Sequence, residues 1–382
     1  MSPTSAAPMI VAALRTPIGT AGRSLAGVDA ASLAAPVLTR LGSALADTGR
    51  APAEVVLGNC TGPGGDVARV ATLAAGLPYD VPALTVDRQC GSGLAAIEIG
   101  AAMVRSTGRP VIAGGVESVS TAPWRFHAPV GDEPPVRYER AQFAPDEIGD
   151  PEMGLAADLL AEELGIDRSE QDTYAARSHQ RAWAAQGAGL FHDELVPIGP
   201  VVTDERPRDR VTAGRLGRLP AAFRCGGTVT AGNACGINDG AAAVTIVPGE
   251  EGVTGLRVLA TASAGVDPNR PGIGLVPAVR QALDLAGLTL ADIDVVELNE
   301  AFAGQVLACC SALGLDPARV CPEGGALALG HPWGASGAIL AVRLFSQLMR
   351  PGPARYGSAR YGLAAIAVGG GQGVAMVVQA CR

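Results

Sequence analysis

In "VDRQCGSGLAAIEIG", residues 86–100, Cys90 stands between a polar tripeptide and a Gly-Ser-Gly that opens an apolar helix. A structural cysteine more often packs in mid-strand or mid-helix as a small hydrophobe. At a strand end that becomes a helix start, unpaired N–H groups and the helix dipole favour a thiolate. The position suits a nucleophile, and a structural cysteine in a tight turn is the other reading.

A cysteine nucleophile needs a base. Of the 4 histidines, His127, His179 and His192 carry no partner pattern, whereas His331 is fixed between Gly330 and Pro332 in "GGALALGHPWGASG". A Cys–His pair at a helix start can form and resolve a thioester; a turn-capping histidine is the plainer reading. "ELNEAFAGQ" puts Asn299 and Glu300 at a strand end, where the amide can hold a water or orient an imidazole. Glu300 reads as a base or as a helix-start carboxylate. Gly369, Gly370 and Gly371 let a substrate approach the backbone, and with the Cys90 N–H they can form an oxyanion hole. A tight hairpin would use the same glycines. No dinucleotide, Walker, HExxH or GxSxG signature is convincing.

These residues need a scaffold that brings distant turns together. Short apolar runs alternate with amphipathic helical segments, the pattern of an α/β chain. Strands are expected at Ile10–Leu14, Val55–Leu57, Ala83–Val86 and Val111–Ala113, and helices at Ser32–Ala46, Ala68–Ala75 and Ser92–Arg105. The chain also repeats itself. "EVVLGN" returns as "DVVELN", the Cys90 turn and helix as "WGASGAILAVRLF", and "VIAGG" as "AAIAVGGG", all in the same order. Three ordered echoes point to a duplicated αβ unit. Residues 121–228 read as an insertion on the first half. It contains a Pro-rich polar stretch, helices at Gly154–Leu164 and Glu170–Gln186 with Ser169 as N-cap of the second, and an irregular Arg-rich segment around Arg206 and Arg208.

The chain has 382 residues, a net charge of −8, and basic residues that are all arginine. The acidic balance argues against nucleic acid as a partner. Its 8 cysteines lack CxxC or Cys/His metal spacing, so they read as thiols in a reducing compartment, with a cytoplasmic location the expectation. The N-terminal apolar run reads as a strand rather than a signal peptide, and no run spans a membrane.

Taken in order, "RTPIG", "CGSGLAAIEIGAAM", "AGGVESVSTAPW", "SEQDTYAARSHQRA", "TVTAGNACGINDGAAAV", "ELNEAFAGQ", "GGALALGHPWGASGA" and "GGGQGVAM" resemble the thiolase family nearly end to end. The resemblance implies the thiolase fold, an α/β architecture with two pseudo-symmetric halves in a five-layer αβαβα arrangement and an inserted loop domain. The expected divisions are residues 1–120 with 229–250, the insert 121–228, and 251–382. By resemblance Cys90 is the acylated nucleophile, His331 activates it, and Asn299 holds the water of one oxyanion hole. The N–H groups of Cys90 and Gly369 form the other. The insert would bind coenzyme A, with Met153, Phe223, Ala231, Cys235 and Ala301 near the pantetheine and Arg208 toward the nucleotide. The implied partners are an acyl-CoA or other acyl thioester as substrate, with no permanent cofactor, no metal, and a homodimer or homotetramer.

One departure stands out. The family's last strand carries a second catalytic cysteine two residues before the glycine run, and here that position is Ala367. Cys381 is expected beyond the following strand and out of reach. Glu152, Asp87, Cys235 and Glu323 also replace family residues around the pocket. The expectation is an acyltransferase working through acyl-Cys90, with ordinary Claisen or thiolysis turnover in doubt. A non-catalytic partner subunit and a decarboxylating ketosynthase-like enzyme are the alternatives, with thioester hydrolysis a minor one.

Overall fold

The computed structural model describes residues 7–350 and 357–382. In chain order the elements are β1 (Pro8–Arg15), β2 (Gly19–Thr20), α1 (Ala30–Ala46), β3 (Glu54–Gly58), α2 (Val67–Ala74), β4 (Ala83–Val86), α3 (Ser92–Thr107) and β5 (Val111–Glu117). The insert supplies β6 (Arg125–Phe126), β7 (Arg137–Tyr138), α4 (Met153–Glu163), α5 (Arg168–Gly187) and α6 (Ala213–Leu216). Then come β8 (Asn238–Pro248), β9 (Gly255–Gly265), α7 (Leu275–Ala286), β10 (Val295–Leu298) and α8 (Ala303–Leu313). The chain closes with α9 (Ala326–Leu329), α10 (Trp333–Met349), β11 (Tyr361–Val368) and β12 (Gln372–Cys381).

The strands form one path, β10-β11-β12-β9-β1-β8-β5-β3-β4, with β2 on β8. Read outward from the β9–β1 junction, the two sides repeat each other. Each has two antiparallel pairings and then a parallel one, β5 with β3 and β11 with β10. The junction itself is slight, Met9 opposite Arg257 and Ile10 opposite Leu256. This is the geometry of a duplicated unit joined at matching edges.

Alternation along the strands loads both faces, as a sheet covered on each side requires. Val56 points into a cluster with α3 and α10, while Val55 and Leu57 face α1 and α2. In the second half Ala364, Ile366 and Val368 share that inner cluster, while Leu363, Ala365 and Ala367 face α7 and α8. The layers are therefore α1/α2, sheet, α3/α10, sheet, α7/α8. α10 is buried on nearly every side, as its all-round apolar sequence demands.

Two local readings are corrected, and the docking of the insert is added to a third. α5 starts earlier than Ser169 suggests: its N-cap is Asp167, which forms a capping box with Glu170 and leaves Ser169 inside the helix. Cys381 is the last residue of β12, opposite Gly255 and at the far end of the strand from Gln372. The insert interrupts the first half in sequence, but its helices dock on the second. Tyr174 and Ser178 donate to Glu300, and Arg177 and Arg181 donate to the carbonyls of Pro317 and Val320.

Candidate active site

The two central helices touch at glycines. A Cβ on Gly93 would lie 2.7 Å from the Gly334 carbonyl oxygen, and one on Gly337 would lie 2.5 Å from the Leu94 nitrogen. No larger residue allows this approach. Cys90 and His331 each stand three residues before the glycine of this crossing, in Cys90-Gly91-Ser92-Gly93 and His331-Pro332-Trp333-Gly334. The nucleophile and base candidates thus stand just before the starts of two helices packed side by side.

The turn that presents Cys90 is tied down. Gln89 has φ 45°, the left-handed region that a side chain rarely adopts. Its N–H donates to Asp87 Oδ1 at 2.7 Å, and its carbonyl accepts from Ser92 Oγ at 2.6 Å and Cys60 Sγ at 3.0 Å. Asp87 therefore shapes the turn. Gly91 lies against Val368, the neighbour of Ala367, where a Cβ would meet Cγ2 at 2.7 Å.

Burial pushes the Cys90 thiol up to about 12; its own N–H and that of Gly369 act the other way, and Glu117 adds to the rise. This corrects the expectation from the helix start alone: the surrounding protein outweighs the dipole, and the resting group is a thiol. The two N–H groups that reach its sulfur are the pair expected to hold an oxyanion. Gly369 is packed beneath Phe143 of the insert, where a Cβ would come within 2.8 Å of the ring. Phe143 has no motif around it, and sequence reasoning missed it.

His331 is buried and fixed at three points. Its N–H donates to Asn238 Oδ1 at 2.9 Å, its Nδ1 lies 2.6 Å from Ser336 Oγ, and its Nε2 lies 3.4 Å from Asn299 Nδ2. The Asn299 Nδ2 group that faces the ring can only donate, so Nε2 is the acceptor and Nδ1 carries the proton toward Ser336. Burial lowers the imidazole to about 4, which keeps it neutral near pH 7. A cavity of about 20 Å³, room for one water, is lined by Asn299, Ser336, Glu297 and Arg343. Asn238 and Ser336 were not singled out in the sequence; the signal for Ser336 is its place in the first turn of the helix that follows His331.

Glu300 is not free to act as a base. It accepts from Tyr174 Oη at 2.9 Å, Ser178 Oγ at 2.6 Å and the Leu327 N–H at 3.2 Å, and burial raises its pKa. Glu152 caps α4 by accepting from the N–H groups of Gly154 and Leu155. Glu323 is buried in a network with Arg343 and Gln347.

Of the residues expected near a pantetheine, several gather on one wall. The Phe223 ring lies against Gly154, next to Met153, and meets Phe302 edge-on with centroids 6.1 Å apart. Ala234 bridges to Phe302, and the Cys235 N–H donates to the Ala301 carbonyl at 2.9 Å. Ala231 is exposed in the turn that Asn233 closes on Thr230, and Arg208 is exposed. None of the described helices is long and apolar enough to cross a membrane.

The sequence matches two family models in succession, "Thiolase, N-terminal domain" over residues 8–250 and "Thiolase, C-terminal domain" over residues 254–380. It is 44% identical to an acetyl-CoA acetyltransferase of Pseudomonas aeruginosa, over 97% of this chain and 98% of that one. It is 42% identical to a beta-ketoadipyl-CoA thiolase of Escherichia coli, over 96% and 97% of the two chains. The fold superposes on human mitochondrial 3-ketoacyl-CoA thiolase in complex with CoA with a TM-score of 0.89 at 36% identity, covering 99% of this chain and 98% of the other. The two model matches together span almost the whole sequence and meet where the two halves join. On this evidence the chain belongs to the thiolase family.

Proposed function

We propose that the protein is an acyltransferase that moves an acyl group from an acyl-CoA onto Cys90 and then to an acceptor. The observation that carries this reading is the crossing of Gly93 on Gly334, which sets Cys90 and His331 at matched helix starts with two N–H groups on the cysteine sulfur. In the first step the Cys90 S–H proton passes to His331 Nε2 as sulfur attacks the thioester carbonyl. The N–H groups of Cys90 and Gly369 hold the carbonyl oxygen as it becomes negative. The C–S bond to coenzyme A then breaks, and the departing thiolate takes the proton back from His331, leaving acyl-Cys90. Asn299 and Ser336 keep the imidazole in the tautomer this step needs.

The second step depends on the acceptor. Forming a carbon–carbon bond requires removing an α-proton, and Ala367 offers no group for it. General acid–base help is worth about 10²–10⁴ in rate. The acceptor therefore has to arrive already nucleophilic, or turnover by the ordinary Claisen route is slow.

Coenzyme A enters along the wall of Met153, Phe223, Cys235 and Ala301, with Ala231 at its edge and Arg208 toward the solvent end. The halves divide at residues 1–120 with 229–250 and 251–382, around the insert 121–228. A homodimer is supported by the free edge of β4 and the exposed apolar side chains near it, Val70, Tyr79, Leu84 and Trp124. The 8 cysteines suit a reducing, cytoplasmic setting.

Mass spectrometry of the intact protein after incubation with acetyl-CoA tests the reading. An acyl adduct on the wild type that is absent from Cys90→Ala supports it; an unmodified Cys90 across short-chain and dicarboxylic acyl-CoAs rejects it.

A further inference from the structure

Glu117 ends β5, is fully buried, and has no ion-pair partner among the described residues. Hydrogen-bond donors surround it instead. Its Oε1 accepts from Asn59 Nδ2 and the Thr61 N–H at 3.1 Å each, and from Thr61 Oγ1. Its Oε2 accepts from the Cys60 N–H at 3.1 Å and the Gly334 N–H at 3.0 Å. Every partner donates, the set that suits an ionised carboxylate. The buried carboxylates Glu194 and Asp204 are paired with arginine, the usual arrangement. Glu117 is held by backbone and loop alone, and the identity of its donors shows what it joins.

Gly58 and Gly115 are paired in register on β3 and β5, and each seats one of the two helix starts. A Cβ on Gly58 would lie 2.6 Å from the Gly93 nitrogen of α3, and one on Gly115 would run into the Gly334 carbonyl of α10. Pro332, the N-cap of α10, makes no side-chain cap, and Glu117 supplies one from β5 through the Gly334 N–H. On its other side Glu117 holds the loop after β3. There Cys60 Sγ donates at 3.0 Å to the carbonyl of Gln89, the left-handed residue that precedes Cys90. The oxygen Oε2 is thus two hydrogen bonds from the peptide that leads into Cys90, and it binds the backbone three residues after His331.

We propose that Glu117 is a positioning residue for acyl transfer, fixing the separation of Cys90 and His331 by tying the loop under the Cys90 turn to the start of α10. Its charge has a second effect, since it opposes a thiolate at Cys90. The titratable groups around that thiol are Asp87 in its own turn, Cys60 on the loop after β3, Cys235, His331 before α10, and Glu117. Asp87 and Glu117 are the acidic ones. Reach and charge can be separated: Glu117→Asp keeps the charge on an arm one methylene shorter, whereas Glu117→Gln keeps the length and removes the charge. This inference rests on the acyl-Cys90 reading and assigns a residue to its first step.

Single-turnover acylation by acetyl-CoA and alkylation by iodoacetamide, both read on Cys90 by mass spectrometry, test it. Glu117→Asp is expected to slow acylation at saturating acetyl-CoA about tenfold, the loss of one charge-assisted hydrogen bond. Its half-saturating concentration and its alkylation rate are expected to stay as in the wild type. Glu117→Gln is expected to slow acylation at least as much, yet to speed alkylation near neutral pH, because the charge that opposes the thiolate is gone. Cys60→Ala cuts only the link to Gln89 and serves if neither Glu117 variant folds. It is expected to acylate about threefold more slowly, and an unchanged rate would overturn the proposal. Acylation at the wild-type rate in a less stable Glu117 variant would show a purely structural carboxylate, and the proposal is wrong. A raised half-saturating concentration at an unchanged rate would assign Glu117 to substrate binding, and the proposal is again wrong. In both cases acyl transfer through Cys90 stands; if wild type itself takes up no acyl group, that reading fails and this inference falls with it.

Discussion

His331 Nδ1 lies 2.6 Å from Ser336 Oγ, and both are buried. The hydroxyl sits in the first turn of α10, five residues after His331, so the helix that follows the base fixes its proton. Removing that hydroxyl lets the ring sample the wrong tautomer. Ser336→Ala is expected to slow acylation of Cys90 about tenfold, equivalent to one lost hydrogen bond, with little change in the KM for acyl-CoA. His331→Asn is expected to cost about 10²–10⁴-fold. Single-turnover acylation rates check both, and an undiminished rate in His331→Asn would remove the histidine from the chemistry.

With the Cys90 thiol near 12 and the imidazole near 4, the resting pair is uncharged across the physiological range. The thiolate fraction then rises tenfold per pH unit without levelling off. Alkylation of the Cys90 peptide by iodoacetamide should climb steadily from pH 6 to pH 9.5. A plateau setting in below about pH 8 would instead reveal a thiolate–imidazolium pair.

Ala367 pairs with Gly373 next to the glycine run and is only partly buried, which leaves space for a larger side chain. Thiolysis of acetoacetyl-CoA by the wild type is expected to be slow, and Ala367→Cys to raise it about a hundredfold or more. Fast turnover by the wild type would mean that another group or a water already supplies the base.

The crossing of α3 and α10 leaves no room for a methyl group on either glycine. Gly337→Ala should destabilise the fold by about 1–3 kcal/mol and spread Cys90 from His331, lowering acylation as well. Denaturant unfolding and the acylation rate are read on the same protein. A variant of native stability and activity would show that the helices can part without consequence.

Much of this site was legible in the sequence because its chemistry sits in turns. The glycines around Cys90 and His331 mark the helix starts, and the repeated "EVVLGN" and "DVVELN" mark equivalent strands, now β3 and β10. The thiol's high pKa was not legible, because it comes from burial by segments far away in sequence. Phe143 escaped because an irregular stretch has no period to read. Ser169 misled because Asp167, two residues earlier, is an equally good cap and has Glu170 three residues on to complete the box.

β1 pairs along most of its length with β8, Leu14 opposite Ala243, and touches β9 only at Met9 and Ile10. A strand made first must therefore wait, during synthesis, for the whole insert to emerge before its main partner exists. Contacts so distant in sequence form slowly, and an unpaired apolar edge is open to aggregation in the meantime. Recombinant yield should then respond to chaperone supply more strongly than the stability of the finished fold suggests.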